Sequence, residues 1–184
     1  MTTASMAQPL TVIAPNPLAS SALETETTVR AAGNADATAI HALITEYLAE
    51  GHLLPRSLDD IRAHVHRFLV ATQDGRLVGC GELAPLSSAV SEIRSLVVSR
   101  DIRGLGLGTN IIQRLVQRAT DCGFEKLCAF THRPSYFVRQ GFSIVPHVWL
   151  PAKIVTDCHN CAHFRRCGQY AVVRALGQRR VQHG

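Results

Sequence analysis

The residues most suited to chemistry form an arginine and glycine turn in the middle of the chain. Arg103 is followed by three glycines at alternate positions, Gly104, Gly106 and Gly108, and then by an amphipathic segment. A glycine turn at the start of a helix presents unpaired backbone N–H groups and the positive end of the helix dipole, which together bind anions. Glycine permits close backbone approach, and the guanidinium fork of arginine suits a phosphate. We therefore predict a phosphate site here, with an ordinary flexible entry into a helix as the alternative.

This turn differs from the two commonest phosphate-binding motifs. No Gly-Lys-Ser/Thr follows it, so it is not a P-loop. It also lacks the acidic residue that ends a following strand about 20 residues on in a dinucleotide-binding fingerprint. The turn therefore predicts a phosphate-bearing ligand of another kind.

Glu92 is the acidic side chain that opens the segment leading into this turn, eleven residues before Arg103. A carboxylate there can act as a general base, directly or through a water molecule. Side chains alternate along a strand, so Arg94 shares the face of Glu92. An ion pair between Glu92 and Arg94 is therefore the alternative interpretation.

A cysteine cluster near the C-terminus has partial metal-site spacing. Cys158 and Cys161 form a Cys-x-x-Cys pair, Cys167 follows six residues later, and His163 lies between them. These four side chains match the ligand types of a tetrahedral zinc site, although a second Cys-x-x-Cys pair is missing. A regulatory disulfide and simple reduced thiols remain as alternatives. The other three cysteines, Cys80, Cys122 and Cys128, are expected to be small buried hydrophobes.

The elements that position these residues follow from apolar periodicity. The β-rich run from Ile93 to Val98 predicts a strand that ends at the glycine turn. After the turn, apolar residues recur at the i, i+3, i+4 spacing of one helix face, namely Ile111, Ile112, Leu115, Val116 and Ala119. We expect this helix to end at Cys122 and Gly123, because glycine commonly follows the last helical residue.

The remaining predicted elements are shorter. In chain order they are a strand at Thr27–Ala31, a helix at Asn34–Ala49 capped by Asn34 or Asp36, a short helix capped by Ser57, strands at Phe68–Ala71 and Leu77–Leu83 joined by an Asp74-Gly75 turn, a strand at Lys126–Thr131, a short helix at Pro134–Gln140, and strands at Phe142–Val145 and Gln169–Leu176.

Composition indicates one ordinary globular domain. The chain has 184 residues, of which 46% are hydrophobic and 18% charged, with a formal net charge of +5. We divide it into a disordered leader (1–26), a folded domain (27–176) that includes a cysteine-rich segment (157–168), and a basic tail (177–184).

The same composition limits the expected partners and compartment. The arginines are scattered rather than arranged in a basic stripe with aromatics, so we expect no nucleic-acid partner. No apolar run is long enough to span a membrane, and residues 2–29 contain no basic residue of a targeting signal. We therefore expect a cytoplasmic protein without a membrane partner.

The glycine turn resembles a known signature. Read as Arg103-x-x-Gly106-x-Gly108, it is similar to the acetyl-CoA signature of the GNAT acetyltransferase superfamily, Gln/Arg-x-x-Gly-x-Gly/Ala. The resemblance implies an α/β (α+β) fold, with one GNAT-type domain whose mixed, mostly antiparallel sheet of six to seven strands is flanked by helices. It also implies acetyl-CoA as cosubstrate, bound by Leu96, Val97, Val98, Arg103, Gly104, Leu105, Gly106, Leu107, Gly108 and Thr109.

A second phrase, Y-F-V-R-Q-G-F at residues 136–142, resembles the other GNAT signature with one departure. The family's common tyrosine, the proposed acid for the leaving thiolate, falls on Phe137. The acid is therefore left open among Tyr136, water and Ser95. By the same resemblance, Glu92 is the expected base, and the backbone N–H groups near Leu96 and Val97 are the expected oxyanion donors.

Several phrases narrow the resemblance to the short bacterial N-acetylglutamate synthases, among them L-P-R-S-L-D-D-I, V-G-C-G-E-L and P-A-K-I-V-T-D-C-H-N-C. The implied reaction is acetylation of the α-amine of L-glutamate, the first step of arginine biosynthesis. Arg56 resembles the substrate arginine of these enzymes, and Arg94 and Lys153 are further candidates because cations pair with carboxylates. No amino-acid-kinase domain is expected in this chain, and a homodimer is left open.

Two other functions fit the same residues. The enzyme could acetylate a different amine, such as glutamine, a polyamine or a protein N-terminus. Alternatively, the chain could be a catalytically silent acetyl-CoA-binding module, which the phenylalanine at position 137 favours.

Overall fold

The structure is a computed structural model that describes residues 27–161 and 163–177, so the predicted leader and nearly all of the predicted tail lie outside the described residues. The strands are β1 (Thr28–Ala31), β2 (Phe68–Gln73), β3 (Arg76–Pro85), β4 (Val90–Val98), β5 (Lys126–Thr131), β6 (Ser143–Val145) and β7 (Tyr170–Ala175). The α-helices are α1 (Ala37–Glu46), α2 (Leu58–His64), α3 (Leu107–Asp121), α4 (Pro134–Val138) and α5 (Pro151–Thr156).

The seven strands form one mixed sheet in the order β1-β2-β3-β4-β5-β7-β6. In the part of the chain that the structure describes, β4 and β5 are parallel and every other pair of neighbours is antiparallel. The predicted fold class, a single mostly antiparallel α+β domain, is confirmed.

Helices cover both faces of the sheet because α1, α2 and α3 each bury one apolar side. The predicted face of α3 is buried, with Ile111, Ile112 and Leu115 fully inaccessible, and it packs with Phe137 and Phe142 in one core cluster. A second cluster lies under α1 and α2 and contains Ile40, Ile44, Ile61, Phe68 and Val70. Burying each such side chain contributes about 1.5–3 kcal/mol, so the sheet is anchored from both sides.

The hairpin of β2 and β3 forms as predicted around its two-residue turn. Asp74 and Gly75 have φ angles of 50° and 76°, and the flanking Gln73 and Arg76 are paired. Positive φ at both central residues is the geometry that such tight hairpin loops require.

The structure differs from the sequence-based expectations at three points. The first helix is shorter than expected, because residues 48–50 form a separate 3-10 turn that ends at Gly51. Asp36 occupies the N-cap position of α1, but its side chain makes no capping hydrogen bond to that helix. Its carboxylate instead accepts a hydrogen bond from the backbone N–H of Gly33 at 2.7 Å. The sequence reasoning did not predict α5, whose start at Pro151 follows an irregular segment.

No helix in the described ranges combines the length and apolar character needed to cross a membrane.

Candidate active site

A cleft of about 1310 Å³ opens where β4 and β5 separate. Their parallel ladder runs from Val90 paired with Lys126 to Ile93 paired with Ala129, and it ends there. Beyond this point both strands line the cleft, β4 through Val98 and β5 through Thr131. Strand separation thus leaves the second half of β4 free to face a ligand.

A bulge in β4 marks the same point. Glu82 of β3 is paired with Arg94, and Cys80 with Val97, so β4 carries one extra residue between the two pairs. Ser95 takes up this excess with a φ of 48°. A bulge of this kind re-aims side chains and is common beside functional sites.

The predicted phosphate turn lies at one end of the cleft. Gly104 and Gly106 have φ angles of 86° and 84°. A residue with a side chain would be strained at such positive φ angles, so glycine is required at both positions. The N–H of Asn110 bonds to the carbonyl of Gly106, which makes it the first helical hydrogen bond of α3. The preceding amides lack intrahelical acceptors and can bind an anion together with the helix dipole. The turn is therefore suited to bind an anion such as a phosphate.

Gly108 leaves room for a neighbouring side chain. A β-carbon at this position would lie 2.5 Å from the hydroxyl oxygen of Tyr136. Tyr136 in turn contacts Phe137 edge to face and lines the cleft. The hydroxyl of Tyr136 is thus held beside the first turn of α3.

Arg103 of the turn is held by an unexpected carboxylate. Its Nη2 lies 3.0 Å from Oε2 of Glu50, its Nε donates to the carbonyl of Val98 at 2.9 Å, and its guanidinium lies over the ring of Tyr47. Hydrogen bonds from Arg103 and Arg100 lower the pKa of Glu50 to about 2. Nothing in the local sequence distinguishes Glu50, which comes from the 3-10 turn after α1.

The other predicted cofactor residues lie in the expected place, with one exception. Those that line the cleft are Leu96, Val97, Val98, Arg103, Gly104, Gly106, Leu107, Gly108 and Thr109. Leu105 does not line it, and its side chain is 79% exposed. Any contribution of Leu105 to binding would therefore come from its backbone.

Glu92 is buried in a network of charges at the opposite end of the cleft. It is 3% exposed, and its carboxylate accepts from Nε of Arg94 at 2.6 Å and from Nζ of Lys153 at 2.8 Å. Asp157 closes the network, with one oxygen 2.5 Å from Arg94 and 2.8 Å from Lys153. The ion pair between Glu92 and Arg94, the alternative interpretation of the sequence, is thus present. Glu92 nevertheless also lines the cleft.

Arg56 forms a second charged group on the other side of β4. Its Nη1 donates to Oε2 of Glu82 at 2.7 Å and to the hydroxyl of Ser95 at 3.3 Å, and its Nε donates to Asp60 at 2.7 Å. Burial opposes ionisation of Asp60, but the hydrogen bond and charge of Arg56 outweigh it, so the pKa of Asp60 is lowered. Ser57 caps α2 as predicted, accepting from the N–H of Asp60, and this places Arg56 immediately before the helix.

The structure therefore brings the three predicted substrate cations, Arg56, Arg94 and Lys153, to one cleft with Glu92. Sequence reasoning missed two acidic partners of these cations. Glu82 is only 1% exposed, and no apolar or charge pattern around it in the sequence indicates a buried acidic side chain. Asp157 follows Lys153 at the i, i+4 spacing, which could have signalled the pair had α5 been predicted.

The side chain at the family's tyrosine position belongs to the core. Phe137 is buried and packs edge to face against Phe142. A phenylalanine supplies no proton. The hydroxyls that line the cleft include those of Tyr136 and Ser135 on this helix and of Ser95 on β4.

The cysteine cluster does not form a metal site in the described residues. Cys158, Cys161 and Cys167 are free thiols, and within residues 27–161 and 163–177 no three His, Cys, Asp or Glu side chains are arranged to hold a metal ion. The predicted zinc ligands, Cys158, Cys161, His163 and Cys167, are thus not preorganised. Cys80 and Cys128 are buried as expected, and burial raises the pKa of Cys80 to about 12 and also raises the pKa of Cys128. Cys122, by contrast, is exposed, so that part of the core prediction is wrong.

A family model decides the family. Residues 37–142 match the model described as "Acetyltransferase (GNAT) family", which is more than half of the chain. The chain belongs to the GNAT acetyltransferase family. The resemblance of its glycine turn to the GNAT signature is thereby confirmed.

Relatives connect this GNAT domain with amino-acid acetyltransferases. It is 32% identical over 151 residues to an uncharacterised N-acetyltransferase of Chlorobaculum tepidum, covering 82% of this chain and 97% of the relative. It is also 33% identical over 132 residues to an amino-acid acetyltransferase of Mycobacterium tuberculosis, covering 70% of this chain and 75% of that one.

A solved structure shows the same relationship. The N-acetylglutamate synthase of Neisseria gonorrhoeae, complexed with coenzyme A and N-acetyl-glutamate, superposes with a TM-score of 0.75 at 26% identity. The match covers 84% of this chain and 36% of the synthase, so the chain spans about a third of that protein. The protein is therefore an acetyl-CoA-dependent N-acetyltransferase of GNAT type, related to the amino-acid acetyltransferases.

Proposed function

We propose that the protein is an amino-acid N-acetyltransferase that transfers acetyl to the α-amine of L-glutamate, the first step of arginine biosynthesis. One observation carries the proposal: Arg56, Arg94 and Lys153 converge with Glu92 on a cleft that also reaches the phosphate turn. Guanidinium and ammonium groups are the natural partners of the acceptor's carboxylates. The relationship to amino-acid acetyltransferases points to the same class of acceptor.

The roles of individual groups follow from the geometry of β4. Where β4 leaves β5, its residues line the cleft, and we assign the backbone N–H groups near Leu96 and Val97 to the oxyanion of the tetrahedral intermediate. Glu92 is assigned as the base that receives the amine proton, through water because both carboxylate oxygens already accept from cations. Tyr136 is the candidate donor to the leaving thiolate, since its hydroxyl lines the cleft beside α3.

The cosubstrate fits the other half of the cleft. The unpaired amides at the start of α3 and the guanidinium of Arg103 suit the pyrophosphate of acetyl-CoA. Glu50 already forms an ion pair with Arg103, so a phosphate is expected to compete with this carboxylate for the guanidinium. A cytoplasmic location and a homodimer remain predictions of the sequence.

The experiment is acetyl-CoA-dependent thiol release over a panel of L-amino acids with spermidine and an N-terminal peptide alongside. Selective turnover of glutamate, or of glutamate and its amide, supports the proposal. Turnover of spermidine or the peptide alone would replace it, and acetyl-CoA binding without turnover of any amine would identify a silent binding module.

A further inference from the structure

Two arginines, Arg100 and Arg103, converge on a single carboxylate at the phosphate end of the cleft. Nη1 and Nη2 of Arg103 each lie 3.0 Å from an oxygen of Glu50, and Nη2 of Arg100 lies 2.7 Å from Oε1 of the same carboxylate. The contact with Arg103 is a two-bond fork, the arrangement in which a guanidinium binds either a carboxylate or a phosphate. Glu50 therefore lies where the oxygens of a phosphate would meet the same donors.

The two guanidinium groups have supports that do not depend on Glu50. Nε of Arg103 donates to the carbonyl of Val98 at 2.9 Å, and its guanidinium carbon lies 4.9 Å from the ring centroid of Tyr47. The backbone N–H of Arg100 donates to the hydroxyl of Tyr47 at 2.9 Å, and its guanidinium carbon lies 5.9 Å from the same ring. Tyr47 is itself buried in the core under α1. Both cations should therefore stay in place when Glu50 leaves.

Glu50 is the partner that is able to leave. It is the last residue of a three-residue 3-10 turn, and rotation about the single bonds of its side chain is enough to withdraw the carboxylate. Its side chain is 22% exposed, and Glu50 lines the cleft together with Arg103. A ligand in the cleft thus has access to this contact.

The charge balance at this point favours a ligand with more than one negative charge. Arg100, Arg103 and Glu50 together carry one net positive charge, and the two arginines alone carry two. Asp101 follows Arg100 directly, but it forms an ion pair with Arg76 and not with these arginines. A phosphate monoester carries about 1.5 to 2 negative charges at neutral pH, so it matches the two arginines better than a single carboxylate does.

We propose that Arg100 and Arg103 form a binding site for a phosphoryl group of the cosubstrate, and that Glu50 is an internal competitor for this site. The inference rests on acetyl-CoA as the cosubstrate, and it adds Arg100 to the residues that bind it. Coenzyme A carries such groups in its pyrophosphate and in its 3′-phosphate, and both have the chemistry that two arginines recognise. Binding exchanges the ion pairs of Glu50 for ion pairs of the phosphoryl oxygens, and no covalent bond changes.

The first test is isothermal titration calorimetry with coenzyme A alone, which needs neither an acceptor nor turnover. Glu50→Gln keeps the shape of the side chain and removes its charge, so the Kd should fall by about threefold, within the range of a partly exposed ion pair. This gain should largely disappear at about 1 M salt, where charges are screened over about 3 Å. Asp101→Asn is the matched control, because it removes an exposed carboxylate beside Arg100 that pairs elsewhere, and it should leave the Kd unchanged.

The second test concerns Arg100 itself. In the Glu50→Gln background, Arg100→Gln has no carboxylate to release, so a loss of affinity reports a contact between Arg100 and the ligand. We expect the Kd for coenzyme A to rise by about fivefold, because a charge-assisted hydrogen bond is lost. The same comparison with 3′-dephospho-coenzyme A identifies the group: a loss that persists assigns the pyrophosphate, and a loss that disappears assigns the 3′-phosphate.

Two results overturn the inference. Equal affinity of Glu50→Gln and the double variant would mean that Arg100 serves only to hold Glu50, and an affinity of Glu50→Gln no higher than that of the wild type would mean that Glu50 does not compete. A wild type that binds no coenzyme A would reject the cosubstrate and this inference with it. No amino acid enters the titration, so a failure to acetylate glutamate would reject the proposed acceptor alone.

Discussion

The hydroxyl of Tyr136 lies against Gly108, so close that a β-carbon on Gly108 would be 2.5 Å from the phenol oxygen. Gly108→Ala must therefore displace either the tyrosine or the first turn of α3. We expect the affinity for coenzyme A to fall by about tenfold, the size of effect that follows when about 1.4 kcal/mol of binding is lost. Isothermal titration calorimetry with coenzyme A measures this loss without requiring turnover.

A second substitution separates this clash from a general effect on α3. Tyr136→Phe removes the oxygen that the new methyl group would meet, so the double variant should recover part of the lost affinity. Equal affinity of Gly108→Ala and the wild type would show that the tyrosine moves freely and that Gly108 is not required for packing.

The success of the sequence-based prediction depended on how local each signal was. The glycine turn, the apolar face of α3 and the Asp74-Gly75 hairpin are each specified by a few neighbouring residues, and the structure has all three. The helix α5 has six residues and no buried side chain, so its sequence carries no periodic apolar signal. That is why the prediction missed Asp157, which is placed by this helix.

The charge pairs of the site could not be predicted for a different reason. Arg56 and Glu82 are 26 residues apart, and their contact depends on how α2 packs over the sheet. Glu50 reaches Arg103 across 53 residues in the same way. The sequence therefore identified the cations of the cleft and Glu92, but not Glu82, Asp157 or Glu50, the other carboxylates that pair with these cations.

Arg56→Ala tests both a binding role and a structural one. Removing Arg56 leaves the buried carboxylate of Glu82 without its cation, which commonly costs about 3 kcal/mol of stability. We also expect a higher KM for the amino acid and an unchanged KM for acetyl-CoA, because Arg56 lies away from the phosphate turn. Urea denaturation and steady-state kinetics measure the two effects separately.

Arg62→Ala is the matched control, since Arg62 lies on α2, the helix that follows Arg56, and its side chain is 57% exposed beside Asp59. Exposed ion pairs contribute about 0–1 kcal/mol, so this control should keep both stability and kinetics. An unchanged acceptor KM in folded Arg56→Ala would remove Arg56 from the substrate site.

Asp36→Asn should make the free energy of unfolding less dependent on pH in the acidic range. The Asp36 carboxylate accepts two hydrogen bonds from Arg30, at 2.7 and 2.8 Å, and one from the N–H of Gly33. The guanidinium of Arg30 holds the pKa of this carboxyl below its usual value. A pKa depressed by folding adds stability above the unfolded value, and this stability disappears as the pH falls through the folded pKa.

The expected loss in Asp36→Asn is about 1 kcal/mol at neutral pH, the usual contribution of a carboxylate that satisfies the start of a helix. The difference from the wild type should begin to shrink as the pH falls through the ordinary aspartate pKa of about 3.9, and it should vanish below the lower pKa of the folded protein. Urea unfolding of both proteins at several pH values measures it, with Asp59→Asn as an exposed control. A difference that persists unchanged in acid would mean that the charge of Asp36 contributes nothing.

Glu92→Gln addresses the assigned base directly. Glutamine keeps the shape of Glu92 but cannot take the proton of the amine, so kcat should fall by about 100-fold or more, the usual contribution of a positioned base. The KM for acetyl-CoA should not change, because Glu92 lies at the other end of the cleft from Arg103. Arg94 and Lys153 keep Asp157 as a partner, so we expect the variant to fold. The residual rate should rise with pH, since the free amine must then form without help from the protein.

Glu125→Gln is the control, because Glu125 is exposed and does not line the cleft. If Glu92→Gln turned over at the wild-type rate at every pH, Glu92 would serve to hold Arg94 and Lys153 in place rather than to move a proton.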